Sequence, residues 1–91
     1  MIVGVPTEVK PGENRVAVTP DGVHELAGHG VRVLVQSGAG LGSAIDDADF
    51  AGAGAEMVDA DSAWSAELVL KVKEPQPEEF SFLRPGLVLF T

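Results

Sequence analysis

The chain has 91 residues, 14 of them acidic and 6 basic, for a formal net charge of −8; a field of that sign disfavours nucleic acid and anionic membrane surfaces, because binding either would begin with repulsion. It has no cysteine and 2 histidines, which excludes disulfides, thiolate nucleophiles and cysteine metal sites, leaves no convincing metal cluster, and fits a cytoplasmic protein. No apolar run reaches the roughly 18 residues that a membrane-spanning helix needs, and Met1 to Pro6 leads to Glu8 rather than to a signal-peptide core, so one soluble, unexported domain is expected.

The apolar run 2–5, closed by Pro6, reads as a buried strand, followed by a polar loop that reaches Arg15. Thr19 then offers an N-cap hydroxyl and Pro20 a first helical position where its missing N–H is no loss. Val23, Leu26 and Ala27 give that helix an apolar stripe, and Gly30 can end it with positive φ. Val31, Val33 and Val35 alternate with Arg32 and Gln36 in a second strand, which runs into the glycine loop GAGLGS at 38–43. A second helix is expected from Asp46 or Asp47 to Gly54, a short strand over 56–58, and a short helix over 61–66 with Trp64 on its apolar side. The strongest strand pattern covers 68–73 and is closed by Pro75. Pro77 and Glu78 start another short helix, Gly86 marks a turn, and 87–90 is a last apolar strand.

Strands alternating with helices imply parallel pairing through right-handed crossovers. The expected fold is therefore α/β: a Rossmann-like, doubly wound, mainly parallel sheet with helices on both faces. The last strand reaches Phe90 and Thr91 where such a fold normally enters another loop and helix, so the sheet is expected to be an incomplete lobe of a larger enzyme, covered by further sequence.

Open parallel sheets bind ligands beyond the carboxyl ends of their strands, and two cations are placed there: Arg15, in the stretch ENRVAVTP after the first strand, and Lys73, at the end of the strongest one. Arginine grips a carboxylate through two parallel hydrogen bonds, and lysine offers a point charge that polarises a carbonyl oxygen, so the pair suits a small 2-oxo acid. The competing reading leaves both as surface residues paired with Glu13 and Glu74. Lys71 shares the strand face of Lys73 but sits earlier, where its stem is expected to pack along the sheet while its amine reaches solvent. In the glycine loop the third glycine of a dinucleotide fingerprint falls on Ser43, so a tight structural turn is the better reading. His24 and His29 read as structural, the acidic group Asp46, Asp47 and Asp49 as helix-start charges, and Trp64 as core.

The segments GVPTEVKPGENRVAVTPDGVHEL, GAGLGSAIDDADFAGAGAE and LVLKVKEP…LRPGLVLFT resemble the start of the bacterial alanine dehydrogenase family, in register over essentially the whole chain. Members of that family reversibly convert L-alanine, water and NAD to pyruvate, ammonium and NADH. They carry a substrate domain followed by a Rossmann NAD domain, and form homo-oligomers, hexamers in the family. The resemblance implies that residues 1–91 are the first part of the substrate domain, that Arg15 holds the substrate carboxylate, and that Lys73 contacts the carbonyl or amino-bearing centre. It also implies that the catalytic histidine lies beyond Thr91 and that NAD is bound by a domain outside these residues. No catalytic residue, cofactor ligand or metal ligand is then assigned within the chain, and the segment alone is expected to be inactive. The N-terminal region of the NAD(P) transhydrogenase α subunit is similar and is the alternative, although VKEP and LFT favour the dehydrogenase. A noncatalytic binding or assembly module is a further reading.

Overall fold

Capping chemistry sets most element boundaries in the computed structural model, which describes all 91 residues. Strands β1 (Ile2–Val5), β2 (Arg32–Gln36), β3 (Glu56–Val58), β4 (Leu68–Leu70) and β5 (Val88–Phe90) alternate with helices α1 (Pro20–Gly28), α2 (Asp47–Ala53) and α3 (Ala60–Trp64), with 3-10 turns at Leu41–Ser43 and Pro77–Phe82. The Thr19 hydroxyl accepts the Gly22 N–H and caps α1 behind Pro20. Asp46 and Asp49 cap α2 reciprocally, and Gly54 ends it at φ 113°, a conformation that favours glycine. Asp59 caps α3 by accepting the Ser62 N–H at 2.8 Å.

All four strand pairings are parallel, in the order β3-β2-β1-β4-β5. Period-2 alternation divides the central strands between two helical layers. Val3, Val5, Val33 and Val35 point to one face, where they form the core with Val23 of α1 and Phe50 of α2. Gly4, paired in register with Leu34 and Val69, points to the other face. A Cβ at Gly4 would lie 1.8 Å from the Ala63 carbonyl oxygen, so α3 rides directly on the β1 backbone and the position admits no side chain. Trp64 is buried in that layer and stacks on Phe82 with ring centroids 5.2 Å apart. Helices on both faces of a parallel sheet, as the alternation predicts, make this a Rossmann-like α/β fold. No helix is long and apolar enough to cross a membrane.

One boundary differs from expectation in a way that matters for the site. The strand expected over 68–73 stops at Leu70. Lys71 N–H still donates to the Phe90 carbonyl at 2.9 Å, and the next two N–H groups bond to a side chain. Val72 N–H donates to Glu8 Oε2 at 2.9 Å and Lys73 N–H to Glu8 Oε1 at 3.2 Å. Beyond Leu70, and before Pro75 is reached, a carboxylate from the loop after β1 takes the two N–H groups that follow.

Candidate functional site

In the observed strand order the chain reverses its direction of winding between β1 and β4, and the crevice beyond the carboxyl ends at such a reversal is where open α/β sheets hold ligands. Arg15 lies on the loop leaving β1 and Lys73 on the loop leaving β4, so both approach this crevice from its two walls.

The Arg15 loop is fixed from several sides. Ser43 Oγ donates to the Asn14 carbonyl at 2.8 Å, and a Cβ at Gly42 would lie 2.8 Å from that same oxygen. The glycine loop is therefore the seat of the loop that carries Arg15. It does not fit a dinucleotide: its Gly38 N–H is taken by the Asp47 carboxylate at 2.9 Å, and the helix after it begins with Asp46, Asp47 and Asp49, which would repel a diphosphate. On the other flank Val16, Ala17 and Val18 pack against the core.

Within the loop, Glu13 orients the arginine. Its carboxylate accepts the Arg15 backbone N–H at 2.8 Å, Nε at 2.9 Å and Nη2 at 2.8 Å. The Glu13 side chain is only 7% exposed whereas that of Arg15 is 66% exposed, so the glutamate is the anchored member of the pair. One edge of the guanidinium is engaged, and the outer Nη1–Nη2 edge remains open to a second carboxylate. The surface-pair reading of Arg15 is thus correct about its partner, and the geometry leaves the ligand reading intact.

For Lys73 that competing reading does not hold. Glu74 is taken by Lys10 at 2.7 Å, an ion pair that also ties the two loops together, and the Lys73 ammonium makes no ion pair. Its charge acts on the same site as Arg15, because Lys73 contributes to lowering the Glu13 carboxyl. The main causes of that lowering are the side-chain and then the backbone hydrogen bonds from Arg15, and they bring Glu13 from 4.5 down to about 2.

A folded-state value below the ordinary one means that Glu13 contributes stability above about pH 4.5 and that this contribution is lost as pH falls toward 2. The Glu13–Arg15 pair should therefore persist through mildly acidic conditions. Carboxyl-carbon NMR should show Glu13 titrating near 2, and a midpoint at the ordinary 4.5 would mean that the pair does not form in solution.

Lys71 departs from expectation. Its amine does not reach solvent: the side chain is 0% exposed, with Nζ donating to Glu8 Oε1 at 2.9 Å and to Glu79 Oε2 at 3.2 Å. Alternation with Val72 reads as a solvent-facing charge, and the carboxylates that override it come from positions 63 and 8 residues away. Sequence reasoning missed Glu8 and Glu79. The one signal for Glu8 was its place directly after a buried strand and Pro6, where a charge needs a partner. His24 on α1 and His29 at its C-cap are both exposed.

A family model described as "Alanine dehydrogenase/PNT, N-terminal domain" matches residues 4–91. The alanine dehydrogenase of Mycolicibacterium smegmatis is 59% identical over 93 positions, covering 100% of this chain and 25% of that protein. A solved L-alanine dehydrogenase has a TM-score of 0.96 and 41% identity, over 98% of this chain and 25% of that one. A transhydrogenase from Sinorhizobium meliloti has a TM-score of 0.90 and 40% identity, over 98% of this chain and 27% of that one. The chain spans about a quarter of the length of the curated relatives it matches.

Proposed function

The chain belongs to the alanine dehydrogenase/PNT N-terminal domain family, and on that premise we propose that residues 1–91 are the N-terminal part of the substrate domain of an NAD-dependent alanine dehydrogenase. The whole enzyme converts L-alanine, NAD and water to pyruvate, ammonium and NADH, and reverses the reaction. It is a cytoplasmic homo-oligomer, hexameric as the family resemblance implies. The observation that carries the reading is the placement of Arg15 and Lys73 on the two loops that flank the reversal of strand order.

Pyruvate presents a planar carboxylate beside a ketone. The open guanidinium edge of Arg15, held by Glu13, takes the carboxylate through two N–H donors. Lys73, whose ammonium has no carboxylate partner, is the group assigned to the ketone oxygen. When ammonia adds to the ketone carbon, its lone pair forms the C–N bond, the C=O π pair moves onto oxygen, and the adjacent ammonium offsets the charge that develops there. Removing the surplus proton from nitrogen and expelling the oxygen as water require an acid–base group. The proposal assigns this role to a histidine outside residues 1–91, and NAD binding to a separate domain, because the glycine loop here does not fit the cofactor.

The transhydrogenase reading has support from the similarity to the Sinorhizobium meliloti structure. Against it, the curated relatives at 56% and 59% identity over the whole chain are alanine dehydrogenases. The enzyme carrying this segment should oxidise NADH only when pyruvate and ammonium are both present. Hydride exchange between NADH and NADP with neither present would establish the transhydrogenase instead.

A further inference from the structure

Beneath the crevice lies a buried ionic cluster that the proposed chemistry does not use. The side chains of Glu8, Lys71 and Glu79 are 1%, 0% and 4% exposed, and no buried polar atom among them lacks a partner. Glu79 Oε1 accepts the Gln76 N–H, and its Oε2 accepts from Lys71. Glu8 does more than neutralise Lys71. Its two oxygens divide between two consecutive backbone donors, Oε2 taking Val72 N–H and Oε1 taking Lys73 N–H together with Lys71 Nζ.

Alternation in a continued strand would place Lys71 and Lys73 on the same face. Past Leu70 the Val72 and Lys73 N–H groups bond instead to Glu8, and the two lysines meet different fates: Lys71 is buried and Lys73 is left partly open without a carboxylate partner. Glu8 also sits on the loop that goes on to Arg15, and its charge reaches that guanidinium. One carboxylate thus joins the wall that carries Arg15 to the wall that carries Lys73.

We propose that Glu8 is a positioning residue that aims Lys73 at the substrate oxygen by holding the Val72 and Lys73 amides, a role that rests on the clamp described above. Both carboxylate oxygens are needed. In Glu8→Gln a single oxygen remains, and the NH2 group must face one of the donors now satisfied, so at least one amide is released. The fold has a means to survive the change, because Lys71 keeps Glu79 as its counter-ion.

The test uses the complete enzyme carrying this segment. Glu8→Gln should lower kcat by roughly 10- to 100-fold, the scale expected when a reacting group is displaced by about an ångström. It should also speed hydrogen exchange at the Val72 and Lys73 amides. The primary isotope effect on kcat with NADH deuterated at the transferred position should fall toward unity, because the slowed step, addition at the ketone carbon, precedes hydride transfer, whereas an unfolded fraction would leave that ratio unchanged. Glu79→Gln removes the other partner of Lys71 without touching either amide, so it should cost stability while the folded enzyme keeps its kcat and isotope effect. Glu8→Asp keeps two acceptor oxygens on a shorter stem and should fall between wild type and Glu8→Gln, which preserves the test if the glutamine variant does not fold. A Glu8→Gln enzyme within twofold of wild-type kcat, or a deficit that Glu79→Gln reproduces, would overturn the proposal. Lys73→Met distinguishes the levels: if it loses kcat while Glu8→Gln does not, only the positioning role fails, and if it too is silent, the clamp itself is wrong and the positioning role falls with it.

Discussion

Lys71→Met should destabilise the folded protein by about 3–5 kcal/mol, the loss expected when one partner is removed from a buried ion cluster. The ammonium is fully enclosed and donates to both Glu8 and Glu79. Methionine fills most of the space of the lysine stem, so cavity formation contributes little and the loss is electrostatic. Two buried carboxylates would then face each other without their shared cation. Lys71→Met combined with Glu79→Gln should recover part of the loss, because it removes one of the opposed charges, and the two substitutions should be strongly non-additive. Urea unfolding followed by circular dichroism measures all of this. A Lys71→Met deficit below about 1 kcal/mol, the scale of an exposed pair, would mean that the amine is solvated after all.

The reading of Lys71 marks the limit of what could be read along the chain. Local signals were legible wherever the determinant was local. Thr19 and Pro20 start α1, Asp46 starts α2, Gly54 stops it, and the alternating valines of β2 declare a half-buried strand. Helices on both faces followed from the βα alternation, as did the placement of Arg15 and Lys73 beyond the carboxyl ends of β1 and β4. The end of β4 was not legible. The pattern LVLKVK continues as a strand by periodicity, and nothing within several residues says otherwise. What the Val72 and Lys73 N–H groups meet instead of a strand is a carboxylate 64 and 65 residues back in sequence, brought there by the parallel pairing of β1 with β4. The same holds for the glycine loop. Its failure to complete a dinucleotide fingerprint was visible at Ser43, but its positive role as the seat of Asn14 needs the fold.

In the complete enzyme, Arg15→Lys and Lys73→Met should damage different constants, which makes the pair a stricter test than either alone. Glu13 already engages Nε and Nη2 of Arg15, so a substrate carboxylate depends on the donors that remain at the outer edge of the same rigid plane. A lysine ammonium keeps the charge but cannot present one edge to Glu13 and another to pyruvate. The expected result is a raised pyruvate KM and a fall in kcat/KM of roughly 30- to 1000-fold, the range for truncating a charge-assisted contact. Lys73→Met keeps the stem and deletes the ammonium, so pyruvate should still dock on Arg15 while the developing charge on its oxygen goes unanswered; kcat should fall by roughly 100- to 1000-fold with a smaller change in KM. The double variant should lose less than the two single losses combined, because both groups hold one small molecule. Steady-state rates with pyruvate, ammonium and NADH decide between the readings. Near-normal kcat/KM in both single variants would make Arg15 a surface partner of Glu13 and Lys73 a bystander, and the substrate would then have to be sought away from the β1–β4 crevice.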